Sequence, residues 1–185
     1  SLEQRVEART AQLRASTEVG RAAVSILDTS QLLREVINLI TSRFGYYYAA
    51  VYLADGTGKW AVLREATGEA GHVLKERGHR LEVGGQSLVG SVMKSRQLRI
   101  ALTERVGDDA ARLVDPWVPN SLSEIALPLV VGDRVLGALD VQATETTAFD
   151  EASAAVLQST ADQIAIALSN AVQFQQTQSG LRHTQ

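Results

Sequence analysis

Residues 123–142, SEIALPLVVGDRVLGALDVQ, read as two β-strands joined by the tight turn Gly132-Asp133. Glycine beside aspartate suits a two-residue hairpin, whose central positions need positive φ. A plain register then sets Val130 opposite Val135, Leu129 opposite Leu136, Leu127 opposite Ala138 and Ala126 opposite Leu139. Both faces of such a ribbon are largely apolar, which predicts a central sheet position covered on both sides. Pro128 has no N–H to give to a ladder, so a bulge or a break in pairing is expected there.

The chain around this ribbon has 185 residues, the size of one domain, with 45% hydrophobic and 21% charged residues, as is usual for a soluble globular protein. A formal net charge of -3, with no lysine/arginine cluster interleaved with aromatics, argues against a nucleic-acid partner. The apolar run Ile125–Val131 falls far short of the roughly 20 residues that span a bilayer. The opening SLEQRVEART has no apolar segment, so neither a signal peptide nor direct membrane insertion is expected. With no cysteine there is no disulfide, thiolate nucleophile, thioether-linked chromophore or cysteine metal site.

Residues 1–28 are rich in Glu, Arg, Gln and Ala and predict an exposed linker helix. Val6, Leu13 and Leu27 share one heptad position and Val24 its companion, a thin seam that fits a two-chain coiled coil or an ordinary surface helix. Asp28-Thr29-Ser30 supplies a cap, and a wide apolar stripe predicts a core-facing helix from Gln31 to Phe44. Tyr46–Ala54 and Trp60–Ala66 read as a hairpin across the turn Asp55–Gly58, residues 67–78 as a loop, and Leu81–Val83 as a short strand. Ser87 caps a short helix to about Ser95, and Leu98–Leu102 returns as a strand. Residues 103–122, with two of the three prolines around Trp117, lack periodicity and are the candidate cover for the ribbon's second face. Asp150 caps a last helix towards Gln178, whose seam includes Leu157, Ile164 and Leu168. The sum is an α+β domain over 29–172 with an extension or tail at 173–185. Its central antiparallel sheet of five to six strands has the N-terminal, second and C-terminal helices on one face. Loops and short helices cover the other.

No catalytic constellation stands out. Gly85–Ser91, GQSLVGS, has the glycine spacing of a phosphate loop but Ser91 in place of its lysine. His72 and His79 lie seven apart in a polar stretch with no ligand pattern around them, so no metal site is expected. No nucleophile elbow exists, and Asp150-Glu151 is explained by capping.

From about Leu33 to Ala171 the chain resembles a GAF domain, the small-molecule-sensing and dimerising module of bacterial signalling proteins. The resemblance is carried by GGQSLVGSVMKSRQ, SEIALPL, VVGDRVLGALDVQ and AFDEASAAVLQSTADQIAIALSNA. LEQRVEARTAQL is similar to the linker helix that precedes sensor domains, which implies a fragment of a longer receptor of the sensor histidine kinase type, part of a two-component system. The resemblance implies a cytoplasmic, non-enzymatic regulatory module. It would be a homodimer through its terminal helices, using Val6, Leu13, Val24, Leu27, Leu157, Ile164 and Leu168, or else a ligand-free dimerisation spacer.

A pocket of this family would lie between the sheet and residues 84–120, lined by Tyr48, Tyr52, Arg99, Trp117, Ser123 and Glu124. Covalent bilin needs a cysteine and is excluded. Haem is not expected, although His79 is the histidine that an axial-ligand role would use. The cyclic-nucleotide signature is absent, since Phe149-Asp150-Glu151 is contiguous and Asn120 precedes serine. No particular cofactor is therefore implied.

Overall fold

The computed structural model describes residues 29–102 and 120–183. The expected N-terminal helix, with Val6, Leu13, Val24 and Leu27, falls on residues outside those described, as does Trp117. Among the described residues the chain runs α1 (Thr29–Arg43), β1 (Tyr48–Ala54), β2 (Trp60–Ala66), α2 (Gly68–Glu76), β3 (Arg80–Glu82) and α3 (Leu88–Ser95). It continues with β4 (Arg99–Leu102), β5 (Ser123–Val131), β6 (Arg134–Ala143) and α4 (Glu151–His183). The six strands form one antiparallel sheet in the order β3-β2-β1-β6-β5-β4. The hairpin β5–β6 occupies the middle, as its two apolar faces require.

On one face α1 packs on β1 and β2, and α4 on β5 and β6. The stripe Leu32, Leu33, Val36, Ile37 and Ile40 is at most 2% exposed, so it supplies α1's side of this core. Gly45, at φ 76°, turns the chain out of α1 into β1, a conformation that glycine takes without strain. Asp150 and Ser153 cap α4 reciprocally: Asp150 Oδ1 accepts from the Ser153 amide at 2.8 Å, and Ser153 Oγ accepts from the Asp150 amide at 2.8 Å. On the opposite face lie α2 and α3, the latter started by Ser87, whose hydroxyl accepts from the Gly90 amide at 3.0 Å.

Three expectations need correction. Residues 67–78 are not a loop but hold α2, which docks through Gly71 and Leu74. Its apolar stripe is too thin to read in sequence. A Cβ at Gly71 would meet the backbone of Ala66 at 2.7 Å, so this glycine, which looks like loop punctuation, allows close packing instead. The hairpin register is plain only next to the turn, where Val130 pairs with Val135. Leu136 is then extra, and beyond it Leu129 pairs with Gly137, Leu127 with Leu139 and Ala126 with Asp140. The bulge lies beside Pro128 rather than on it. Proline is tolerated there because β4 borders β5 only from Ser123 to Ala126, and Pro128 pairs with β6 alone. Third, Leu157, Ile164 and Leu168 are at most 3% exposed and belong to the domain's own core, so they are not available to a second chain.

Gly137 sits where β6 crosses β1, and a Cβ there would fall on the carbonyl oxygen of Tyr52. Gly137→Ala is expected to destabilise the fold by at least about 2 kcal/mol. Urea denaturation measures it, and an unchanged midpoint would contradict the close approach.

Candidate functional site

Alternation along the strands separates two environments. Val51, Leu139, Leu127, Val141 and Ile125 point into the helix layer of α1 and α4. Their neighbours in sequence face the side of α2 and α3, and there the side chains are small or polar. One row across the sheet is Tyr48, Gln142, Glu124 and Ala101; the next is Ala50, Asp140, Ala126 and Arg99; a third is Tyr52 with Ala138.

Glu124, Asp140 and Gln142 are 3%, 2% and 0% exposed. Gln142 Nε2 donates to Asp140 Oδ2 at 3.0 Å, while Gln142 Oε1 has no hydrogen-bond partner among the described residues. Carboxylates withdrawn from water into the centre of a sheet are costly, and stable folds seldom keep them without a use. Flanking Ala50, Ala126 and Ala138 are fully buried and share a core with Leu88, Val89, Val92 and Met93 of α3. At its side the ring of His79 meets the edge of Tyr52, centroids 6.1 Å apart, with Nε2 buried and without a hydrogen-bond partner. Among the described residues no group of three or more His, Asp or Glu could hold a metal ion. No described helix is long and apolar enough to cross a membrane.

A GAF domain family model matches residues 27–169. The chain belongs to the GAF domain family. No curated protein matches it. Among solved structures, the GAF domain of a phosphoenolpyruvate-protein phosphotransferase from Coxiella burnetii is similar at TM-score 0.75 and 17% identity, over 88% of this chain and 95% of that one. The equivalent domain from Acinetobacter gives 0.70 and 20%, over 86% and 93%. Free methionine-R-sulfoxide reductase from Neisseria meningitidis, in complex with its substrate, gives 0.73 and 19%, over 88% and 90%.

Of the residues that sequence reasoning assigned to a GAF pocket, Tyr48, Tyr52 and Glu124 are buried on this small, polar face. Arg99 lies on the same face but at the exposed edge strand, where its guanidinium donates to Ser91 Oγ at 2.6 Å. Ser123 points to the helix layer, and its hydroxyl donates to the Glu145 carbonyl at 2.6 Å. Asp140 and Gln142, which sequence reasoning did not single out, lie buried on the same face as Glu124. Their signal was the alternation in ALDVQ, which the bulge brings onto the face of Glu124.

Two open clefts lie away from this face, at the ends of the sheet. One of about 570 Å³ runs along the Asp55–Gly58 turn to Arg134 and Leu168; the other, of about 500 Å³, lies beside Tyr46, Thr144 and Glu145. The Tyr46 ring lies tilted against Phe44 and Phe149, at 6.2 and 5.4 Å between centroids. Burial first, and then the Asp150 carboxylate, raise its phenol above the ordinary value, against a smaller opposing hydrogen bond with Ser153.

A raised folded value means that this group's contribution is complete below the unfolded tyrosine pKa, about 10, and is lost as pH rises through the folded one. Tyr46→Phe should therefore flatten the alkaline limb of stability above pH about 10. Urea midpoints from pH 8 to 11 measure this, and parallel limbs would contradict the burial.

Proposed function

We propose that this GAF domain is the regulatory sensor module of a larger cytoplasmic signalling protein, of the sensor histidine kinase or receptor type, and is itself not an enzyme. It holds a small molecule on the face of Tyr48, Glu124, Asp140 and Gln142. The supporting observation is the burial of two carboxylates and an amide where a spacer would gain stability from apolar side chains. The free methionine-R-sulfoxide reductases similar in structure include two complexes with substrate, so this fold accommodates small molecules in those proteins. A cysteine-based reduction of that kind is closed to a chain without cysteine.

Signalling requires that the ligand favour one of two arrangements of the terminal helices. A panel of metabolites, nucleotides and haem tests the sensor reading by thermal shift. One compound class is expected to stabilise the chain, by about 2.7 kcal/mol at a hundredfold excess over Kd. No shift from any compound, together with a face filled by the chain's own side chains, would leave the spacer reading.

We also propose that two copies pair through the helices at the two ends of the domain. With Leu157, Ile164 and Leu168 committed to the core, α4 would contribute its outward stripe, where Ile166 is 56% exposed. The full chain should run as a dimer in light scattering, and Ile166→Glu should raise its dissociation constant at least tenfold. Monomers at high concentration, with and without residues 1–27, would sink the pairing.

A further inference from the structure

We propose that the cleft between the two hairpin turns is the seat of the chain segment that leads into α1, residues 24–28, with Ile26 as its anchor. The proposal goes beyond the sensor reading and holds whether or not the domain binds a ligand.

The cleft, of about 570 Å³, opens at the end of the sheet where Thr29 begins α1. Its walls are the ends of β1 and β6, with Leu53, Ala54, Val135 and Leu136, and the side of α4 at Leu168. Leu168 is buried, but the four strand residues are only half-buried, and Leu136 is the residue of the bulge that β5 does not match. Leu53 and Leu136 stand at the margin of the core under α1 and α4. The apolar surface of that core therefore continues into the cleft, where the described residues cover it only in part.

The turn at the rim is held by its own hydrogen bonds. Asp55 Oδ1 accepts from the Thr57 hydroxyl at 2.7 Å and from the amides of Thr57 and Trp60 at 3.1 and 3.4 Å. What the cleft lacks is apolar cover, which an aliphatic side chain supplies.

Chain reach names the occupant. Consecutive Cα atoms are about 3.8 Å apart, so Ile26, three residues before Thr29, lies within about 11 Å of it in any conformation. Thr29 itself lines the cleft. The sequence leading to it, VSILD, carries Ile26 outside the seam of Val24 and Leu27. On a helix of 3.6 residues per turn Ile26 would point about 100° away from Leu27. Seating Ile26 in the cleft thus leaves the seam free for a second copy. It also fixes the rotational phase at which the segment leaves the domain.

The test uses the full 185-residue chain, which has no cysteine, so a single introduced thiol is the only one present. The thiol of Ile26→Cys is expected to react with a maleimide at least tenfold more slowly than that of Glu35→Cys, an exposed position on α1. The protection should persist on dilution. A double-mutant cycle of Ile26→Ala with Leu53→Ala, followed by urea denaturation, should show coupling of at least about threefold in the unfolding equilibrium constant. Labelling of Ile26→Cys as fast as the exposed reference overturns the proposal. Protection that disappears on dilution also overturns it, because the occupant is then a second copy. Concentration-independent protection with additive costs in the cycle overturns this cleft as the seat. Neither labelling variant lies in the core, and their far-ultraviolet circular dichroism checks that both fold.

Discussion

Between Val135 and Gly137, strand β6 carries a residue, Leu136, that β5 does not match, and the pairing beyond it is shifted by one. Because side chains alternate with period two, a one-residue shift decides which of them share a face. Without Leu136 as an extra residue, Asp140 would lie opposite Ile125 and Gln142 would lose its place opposite Glu124. With it, Leu139 and Val141 join Leu127 and Ile125 under α4, and the three polar groups meet on the other side. The apolar core and the polar floor are thus set by the same irregularity. Gly137, immediately after it, lets β6 approach the backbone of β1 closely enough to keep pairing through the distortion.

Much of the architecture was legible because the controlling signals are local. The Gly132-Asp133 turn, the Ser87 and Asp150 caps, and the apolar stripe of α1 each need only a few neighbouring residues to be read, and each lies close to where it was expected. The bulge is a different kind of feature. It depends on how β6 also pairs with β1, and no stretch of β5 or β6 alone announces it. For that reason the sequence alone did not show that Asp140 and Gln142 share a face with Glu124 while Ser123 lies on the other. Helix α2 was hidden for a related reason: the close approach of Gly71 to Ala66 is a tertiary contact, and its glycines have the composition of a loop. The seam of Leu157, Ile164 and Leu168 was read correctly as apolar, but periodicity cannot say whether its partner is a sheet or another chain.

The two faces of the sheet follow different rules of packing. Towards α1 and α4, large branched side chains interdigitate to the density of an interior. Towards α2 and α3, alanines and tyrosines of the sheet pack against Leu74, Leu88, Val92 and Met93, with Glu124, Asp140 and Gln142 buried beside them.

Strand β5 belongs to both faces at once. Glu124 and Ala126 project to one side, while Ser123, Ile125 and Leu127 project to the other, where α4 packs. An extended backbone rises about 3.3 Å per residue, near the limit of chain reach, so it has almost no slack to stretch. Glu124 on one face and Ile125 on the other, beneath α4, are separated by a single peptide unit.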